Sequence, residues 1–126
     1  MNASNYLEQK IAEHTLGIAA FTMPASLFIE LHTADPTEVG NVAPVSGGSY
    51  VRKAATFQWD GVNGWGENVA LIRWDDLPAA TITHISIKDA VSAGNTLYYG
   101  ALTASRTVGA GGSFEIAAQA LTITVA

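Results

Sequence analysis

The sequence predicts a mainly β protein, an antiparallel β-sandwich of about six to eight strands with one N-terminal α-helix. Three observations carry this. Short segments alternate apolar and polar residues at period two, most clearly Leu27–Thr33, Thr81–Lys88 and Leu121–Val125. Turn signals separate them at regular spacing, which favours a sandwich. Strands do not alternate with helices, so a parallel βαβ fold is excluded. A six-stranded barrel is the main structural alternative.

Taken in order, Asn2–Leu16 holds the only helical pattern. Asn5 is the expected cap, with Glu8 three positions on. Leu7, Ile11 and His14 or Thr15 share a face, with Tyr6 and Lys10 beside it, and Gly17 is the expected stop. A helix of this length is marginal alone and needs a surface to pack on. The expected division is a helical arm, residues 1–17, and a β-sandwich domain, residues 18–126. Ile18–Pro24 is an apolar connector. In the strand Leu27–Thr33, Leu27, Ile29 and Leu31 face the core, whereas Phe28, Glu30 and His32 are expected on the outer face.

Ala34–Thr37 reads as an Asp-Pro turn, Glu38–Ser46 as a loop, and Gly47–Gly48 as a sharp corner. Further strands are expected at Tyr50–Phe57, Asn68–Trp74, Thr81–Lys88, Thr96–Thr103, Ser113–Ile116 and Leu121–Val125. Trp59–Gly66, rich in Trp and Gly, reads as turns.

Composition limits function. The 126 residues suit a single core. A hydrophobic share of 48% excludes disorder, and only 13% of residues are charged. A surface this poor in charge is suited to burial against neighbouring chains. A net charge of −5 argues against capture of nucleic acid. The absence of cysteine removes disulfides and thiolate metal sites. There is no run of roughly 18 apolar residues to span a membrane, and Met1–Lys10 does not have the pattern of a signal peptide.

No catalytic, cofactor or metal site is expected. His14, His32 and His84 lack short ligand spacing, although His32, His84 and Glu30 would come together if their strands were neighbours. Asp35, Glu38, Asp75, Asp76 and Asp89 lie in expected turns, where Asp commonly caps backbone. The glycine-rich Gly109–Gly112 is not followed by a Lys-Ser/Thr pair and is no phosphate loop. Trp59, Trp65 and Trp74, with Tyr98 and Tyr99, would serve as core, as subunit interface or as a platform for a glycan. Arg52 is expected to pair with a carboxylate, Asp35 or Glu38. The candidate interface residues are Tyr6, Leu7, Lys10, Ile11, Phe28, Trp59 and Trp65.

Several stretches, in order, resemble a family of small tailed-bacteriophage virion proteins often labelled tail fibre protein. They are Ser4–Glu8 leading into a helix, Pro24–Phe28, the turn Thr33–Thr37 followed by Glu38-Val39-Gly40, and the set Gly47, Gly48, Tyr50, Arg52, Thr56 and Phe57. Thr83-His84-Ile85, Leu97–Leu102 and the closing strand continue the match. The Trp-rich Trp59–Asp76 departs from it. The resemblance implies a non-enzymatic structural component on the virion exterior, present in many copies, tail- or fibre-associated and made in the host cytoplasm. Its partners would be further copies of itself and other virion proteins; a host surface glycan is the partner that the Trp and Tyr cluster would take. A capsid decoration protein and a carbohydrate-binding attachment module are the alternatives.

Overall fold

The structure, a computed structural model, describes residues 1–125; Ala126, the last residue of the expected sandwich domain, lies outside the described residues. The elements are β1 (Asn2–Ala3), α1 (Asn5–Thr15), β2 (Leu27–His32), β3 (Lys53–Ala55), β4 (Phe57–Asp60), β5 (Trp65–Asn68), β6 (Ile72–Leu77), β7 (Ala80–Lys88), β8 (Thr96–Val108), β9 (Gly112–Ile116) and β10 (Thr122–Ile123). A five-stranded sheet has the order β1-β8-β7-β2-β3. A three-stranded sheet, β10-β5-β4, and the pair β6-β9 complete the fold. Every pairing is antiparallel.

The central pair, β2 and β7, realises the alternation in the sequence. Ile29 opposes Ile87 and Leu31 opposes Ile85 on one face. These four join Trp74, Leu77, Ile82, Phe114, Ile116, Leu121 and Ile123 in one core shared by all three sheets. Trp74 faces Phe114 across β6–β9 with ring centroids 5.8 Å apart, and its Nε1 donates to the Val51 carbonyl at 3.0 Å. Trp74 is therefore a core residue and no part of a surface platform.

The helix forms where expected, but its cap is Ser4 rather than Asn5: Ser4 Oγ accepts from Leu7 N at 3.1 Å. Ser and Asn cap about equally well, so tertiary anchorage decides. Ser4 N donates to the Leu97 carbonyl and Ser4 Oγ to that of Thr96, which holds Ser4 extended at the end of β1. The stop is a Schellman turn. Ile18 N donates to the Glu13 carbonyl and Gly17 N to that of His14, with Gly17 at φ 72°. The helix packs on β8 through Leu7, its one buried side chain.

The remaining strands differ at their ends. The strand expected at Tyr50–Phe57 breaks at Thr56, where the chain passes from the five-stranded sheet (β3) to the three-stranded one (β4). The strand expected at Asn68–Trp74 is likewise two strands, because Asn68 turns the chain. Its Nδ2 donates to the carbonyls of Ala70 and Ala117, and its Oδ1 accepts from Leu121 N. Trp65 and Gly66, read as turn, lie in β5. The turn is only Gly61–Gly64, held by Asp60 Oδ1 accepting from Val62 N and Asn63 N. β8 runs on to Val108, and Leu102–Ser105 bulge out opposite Thr83. At the C-terminal end Leu121 and Ile123 are buried as expected, whereas Val125 is exposed.

Candidate functional site

Two features stand out: a polar interior on the far face of β2–β7, and an apolar hollow beside Trp59.

The polar interior corrects the sequence reading. Phe28, Glu30 and His32 do share a face, but it is not open: Glu30 is 7% exposed and His32 0%, and Phe28 is half-buried. The β2–β3 loop, residues 33–52, closes over them. Asp35 Oδ1 accepts from Thr37 N at 2.9 Å, Pro36 is buried, and Gly40 and Val42 present their carbonyls to the sheet. Gly40 is at φ 80°, and a Cβ there would collide with Thr96, so the close approach requires glycine.

Beneath this cover lies an ionic cluster. Arg52 Nε meets Glu30 Oε2 at 2.8 Å, and Lys88 Nζ lies 3.4 Å from Glu30 Oε1. Arg52 also donates through Nη1 to the carbonyls of Ala90 and Ala93, at 2.9 and 2.7 Å. Lys88 donates to the Gly40 carbonyl and to Thr96 Oγ1. The partner of Arg52 is thus Glu30, not Asp35 or Glu38, because Glu30 lies on the adjoining strand whereas the loop carboxylates are exposed. His32 bonds the Val42 carbonyl through Nδ1 at 2.8 Å and Ser86 Oγ through Nε2 at 2.7 Å. A carbonyl only accepts, so Nδ1 carries the proton and Nε2 accepts from Ser86. Burial pushes the His32 imidazole down, against the pull of the Val42 carbonyl and Glu30. Burial also pushes the Lys88 ammonium down, against Glu30.

Two cations enclosed with one carboxylate look like a reactive site, but each group has a structural partner. No buried side-chain nitrogen or oxygen lacks one among the described residues. His32 and His84 are directly paired across β2–β7, as a metal site would need. Both His32 nitrogens are nevertheless engaged, and His84 Nδ1 bonds Thr83 Oγ1. Among the described residues no group of three or more His, Asp or Glu is placed to hold a metal ion. The carboxylates expected in turns are also occupied: Asp75 and Asp76 lie in β6 instead, where Asp75 pairs with Arg73 and Asp76 accepts from Ser49, and Asp89 accepts from Asn95. His14 Nδ1 accepts from Phe21 N.

The hollow is of a different kind. It measures about 250 Å³ and is lined by Leu27, Phe57, Trp59, Gly66, Ile87, Leu97, Tyr98, Ile123 and Val125. Trp59 stands at its edge, 67% exposed. A second hollow of about 340 Å³ shares Tyr98 and Val125 with it and reaches Glu8, Ile11 and Glu38. The helix and the strand edge therefore frame one side of the molecule. Of the candidate interface residues, Trp59 and Ile11 are open to solvent there, and Tyr6 and Lys10 are half-exposed, the Lys10 ammonium lying 5.7 Å from the Tyr6 ring centre. Leu7 is buried within the chain's own fold. Trp65 is half-buried, its Nε1 3.4 Å from Glu67 Oε2. The connector after α1 adds further open apolar side chains, with Ile18 70% and Met23 84% exposed.

Charge held inside to tie loops to a sheet, with apolar side chains left outside, defines a structural β protein with uncovered apolar surface. A family model described as Podophage GP4 fiber I protein gp80 matches residues 2–124, and the chain belongs to that family. It is a fibre-associated structural protein of tailed phages and a component of the virion. No curated protein matches the chain.

Proposed function

We propose that this chain is a non-enzymatic, self-associating subunit, present in many copies on the virion exterior, that joins fibre-associated parts through apolar surface. The observation that carries this reading is the uncharged stretch Thr15–Ile29, which leaves Leu16, Ile18 and Met23 open in the single subunit. A permanent interface is depleted in charge at its centre and buries roughly 2,000 Å² or more. Residues 1–17 act as the docking arm: Leu7 and Ser4 fix it to β8, while Tyr6, Lys10 and Ile11 face the neighbour. Residues 18–126 act as the sandwich domain.

Light scattering on the purified chain tests this. The expected species is larger than one subunit, and Ile18→Asp with Met23→Asp is expected to reduce it to a monomer that keeps its melting profile. A monomeric wild-type chain at high concentration would overturn the reading. Label density in electron micrographs of the particle decides between fibre and shell, the shell being the outcome for a capsid decoration protein. The exposed Trp59 beside an apolar hollow favours, as a second reading, a host glycan stacked on the indole. Glycan-array binding lost in Trp59→Ala would support it.

A further inference from the structure

The β2–β3 loop is held down by donors from the sheet, and one of those donors is an imidazole that gains a charge in acid. We propose that His32 is an acid-sensitive pin, so that its protonation releases the loop from the ionic face of β2–β7.

Three side chains hold the cover closed. His32 donates to Val42, Lys88 to Gly40 and Thr96 to Gly40, each reaching a loop carbonyl. Of the three only His32 carries an imidazole, whose ordinary value is near neutral and which burial here pushes down, so it gains its charge in acid. The groups facing it are Glu30 on its own strand, its Oε1 3.5 Å from Nε2, then Lys88 and His84 on β7, and Arg52 just ahead of β3. The loop brings no carboxylate to the imidazole, since Asp35 and Glu38 are exposed and only the carbonyls of Gly40 and Val42 turn inward. With His32 neutral, the sealed cluster holds Arg52 and Lys88 against Glu30. A proton on Nε2 adds a third cation without a second anion, and it removes the acceptor that Ser86 Oγ–H uses. Ser86 has to rotate, and the imidazolium stays shut off from water beside two like charges.

The least costly way to hydrate it is to lift the cover. β2 and β7 are locked by core contacts on their other face, whereas the loop between Thr33 and Val45, anchored by the buried Pro36 and Val45, is held over the ionic face by hydrogen bonds: Thr33 N to Ala43, Val45 N to Leu31, Asn5 N to Glu38, and the His32, Lys88 and Thr96 contacts. Acidification therefore acts first on the loop and only later on the sandwich. The device goes beyond assembly: it gives the subunit two surfaces, with the loop closed near neutral pH and open in acid.

Hydrogen exchange of the full-length chain at pH 7.5 and pH 5, corrected for intrinsic exchange, tests the pin. One proton linked to opening changes the opening equilibrium by at most roughly tenfold per pH unit. Peptides covering residues 36–45 are expected to lose protection approaching that limit while those covering 112–116 do not. His32→Gln, which keeps a donor and an acceptor but no titration, is expected to abolish the difference. Equal loss of protection in His32→Gln, or none in the wild type, would overturn the proposal. Should His32→Gln fail to fold, NMR titration of the wild type decides. The His32 ring is expected to titrate below the ordinary histidine value with the Val42 and Gly40 region following the same curve. A ring that titrates without those signals moving refutes the pin.

Discussion

Arg52→Ala is the sharpest probe of the ionic interior. Arg52 makes three hydrogen bonds, one to Glu30 Oε2 and two to the carbonyls of Ala90 and Ala93. A hydrogen bond to a charged group contributes about 1.5–3 kcal/mol. The three are not additive, because water can reach the exposed Ala93 carbonyl and the part-buried Ala90 carbonyl once the side chain is gone, and Glu30 keeps Lys88 at 3.4 Å as counter-ion. The Glu30 pair and its desolvation then dominate, for a net loss of about 2–4 kcal/mol. For a chain of this size that lowers Tm by roughly 6–16 °C. Thermal melting measures the total, and limited proteolysis shows where it acts. The expected site is the β7–β8 loop, Asp89–Asn95, because that is where the guanidinium forks. Arg52→Lys is expected to recover part of the Tm but not the loop, since an ammonium reaches Glu30 without bridging both carbonyls. A Tm change of under about 2 °C, or a loop no easier to cut, would show that the fork is ornamental.

Two further predictions concern the opposite end of the fold and the pH response. Asn68→Ala is expected to cost about 3 kcal/mol or more, because three backbone groups at Ala70, Ala117 and Leu121 lose their partner inside the fold; chemical denaturation measures it, and a loss of under about 1 kcal/mol would show that water replaces the amide. For pH, the unfolded chain protonates His32 near its ordinary value of 6.5, whereas the folded chain does so only lower. The unfolded state therefore binds more protons in that window, so stability is full above pH 6.5 and falls as the pH drops through the folded value, by at most about 1.4 kcal/mol per pH unit. Urea midpoints at pH 7, 6 and 5 should fall in the wild type and stay nearly level in His32→Gln, and a flat wild-type curve would contradict the burial argument.

The parts of the fold legible in the sequence are those in which one local rule acts alone. The alternation of Leu27–Thr33 and Thr81–Lys88 specifies β2 and β7, the Asp-Pro turn sits where Asp35 and Pro36 put it, and Gly17 ends the helix. Alternation states only which residues share a face. It says nothing of whether a distant loop covers that face, so Glu30 and His32 were expected outside and lie inside. A signal was present: a charge-poor chain with six Lys and Arg places Glu30, Arg52 and Lys88 on expected strands where neutral residues would be cheaper. Strand breaks at Thr56 and Asn68 escaped for a related reason. A chain that changes sheets keeps its alternation through the break, and only the partner strand reveals the switch.

The two faces of β2–β7 do different work, and the difference accounts for the surface. A buried ion pair is a weak source of net stability compared with well-packed apolar residues, because desolvation offsets most of the attraction. The dry face, where Ile29, Leu31, Ile85 and Ile87 meet the other sheets, supplies the stability. The ionic face instead supplies position, since its donors reach carbonyls on two separate loops and fix both relative to the sheet. Placing two of six basic side chains inside leaves fewer charges outside. In the proposed assembly, low surface charge suits permanent neighbours, and loops held rigid in advance lose less entropy when those neighbours bind. The buried charge and the bare surface are thus one solution to a single requirement: a small β protein whose loops hold one fixed shape.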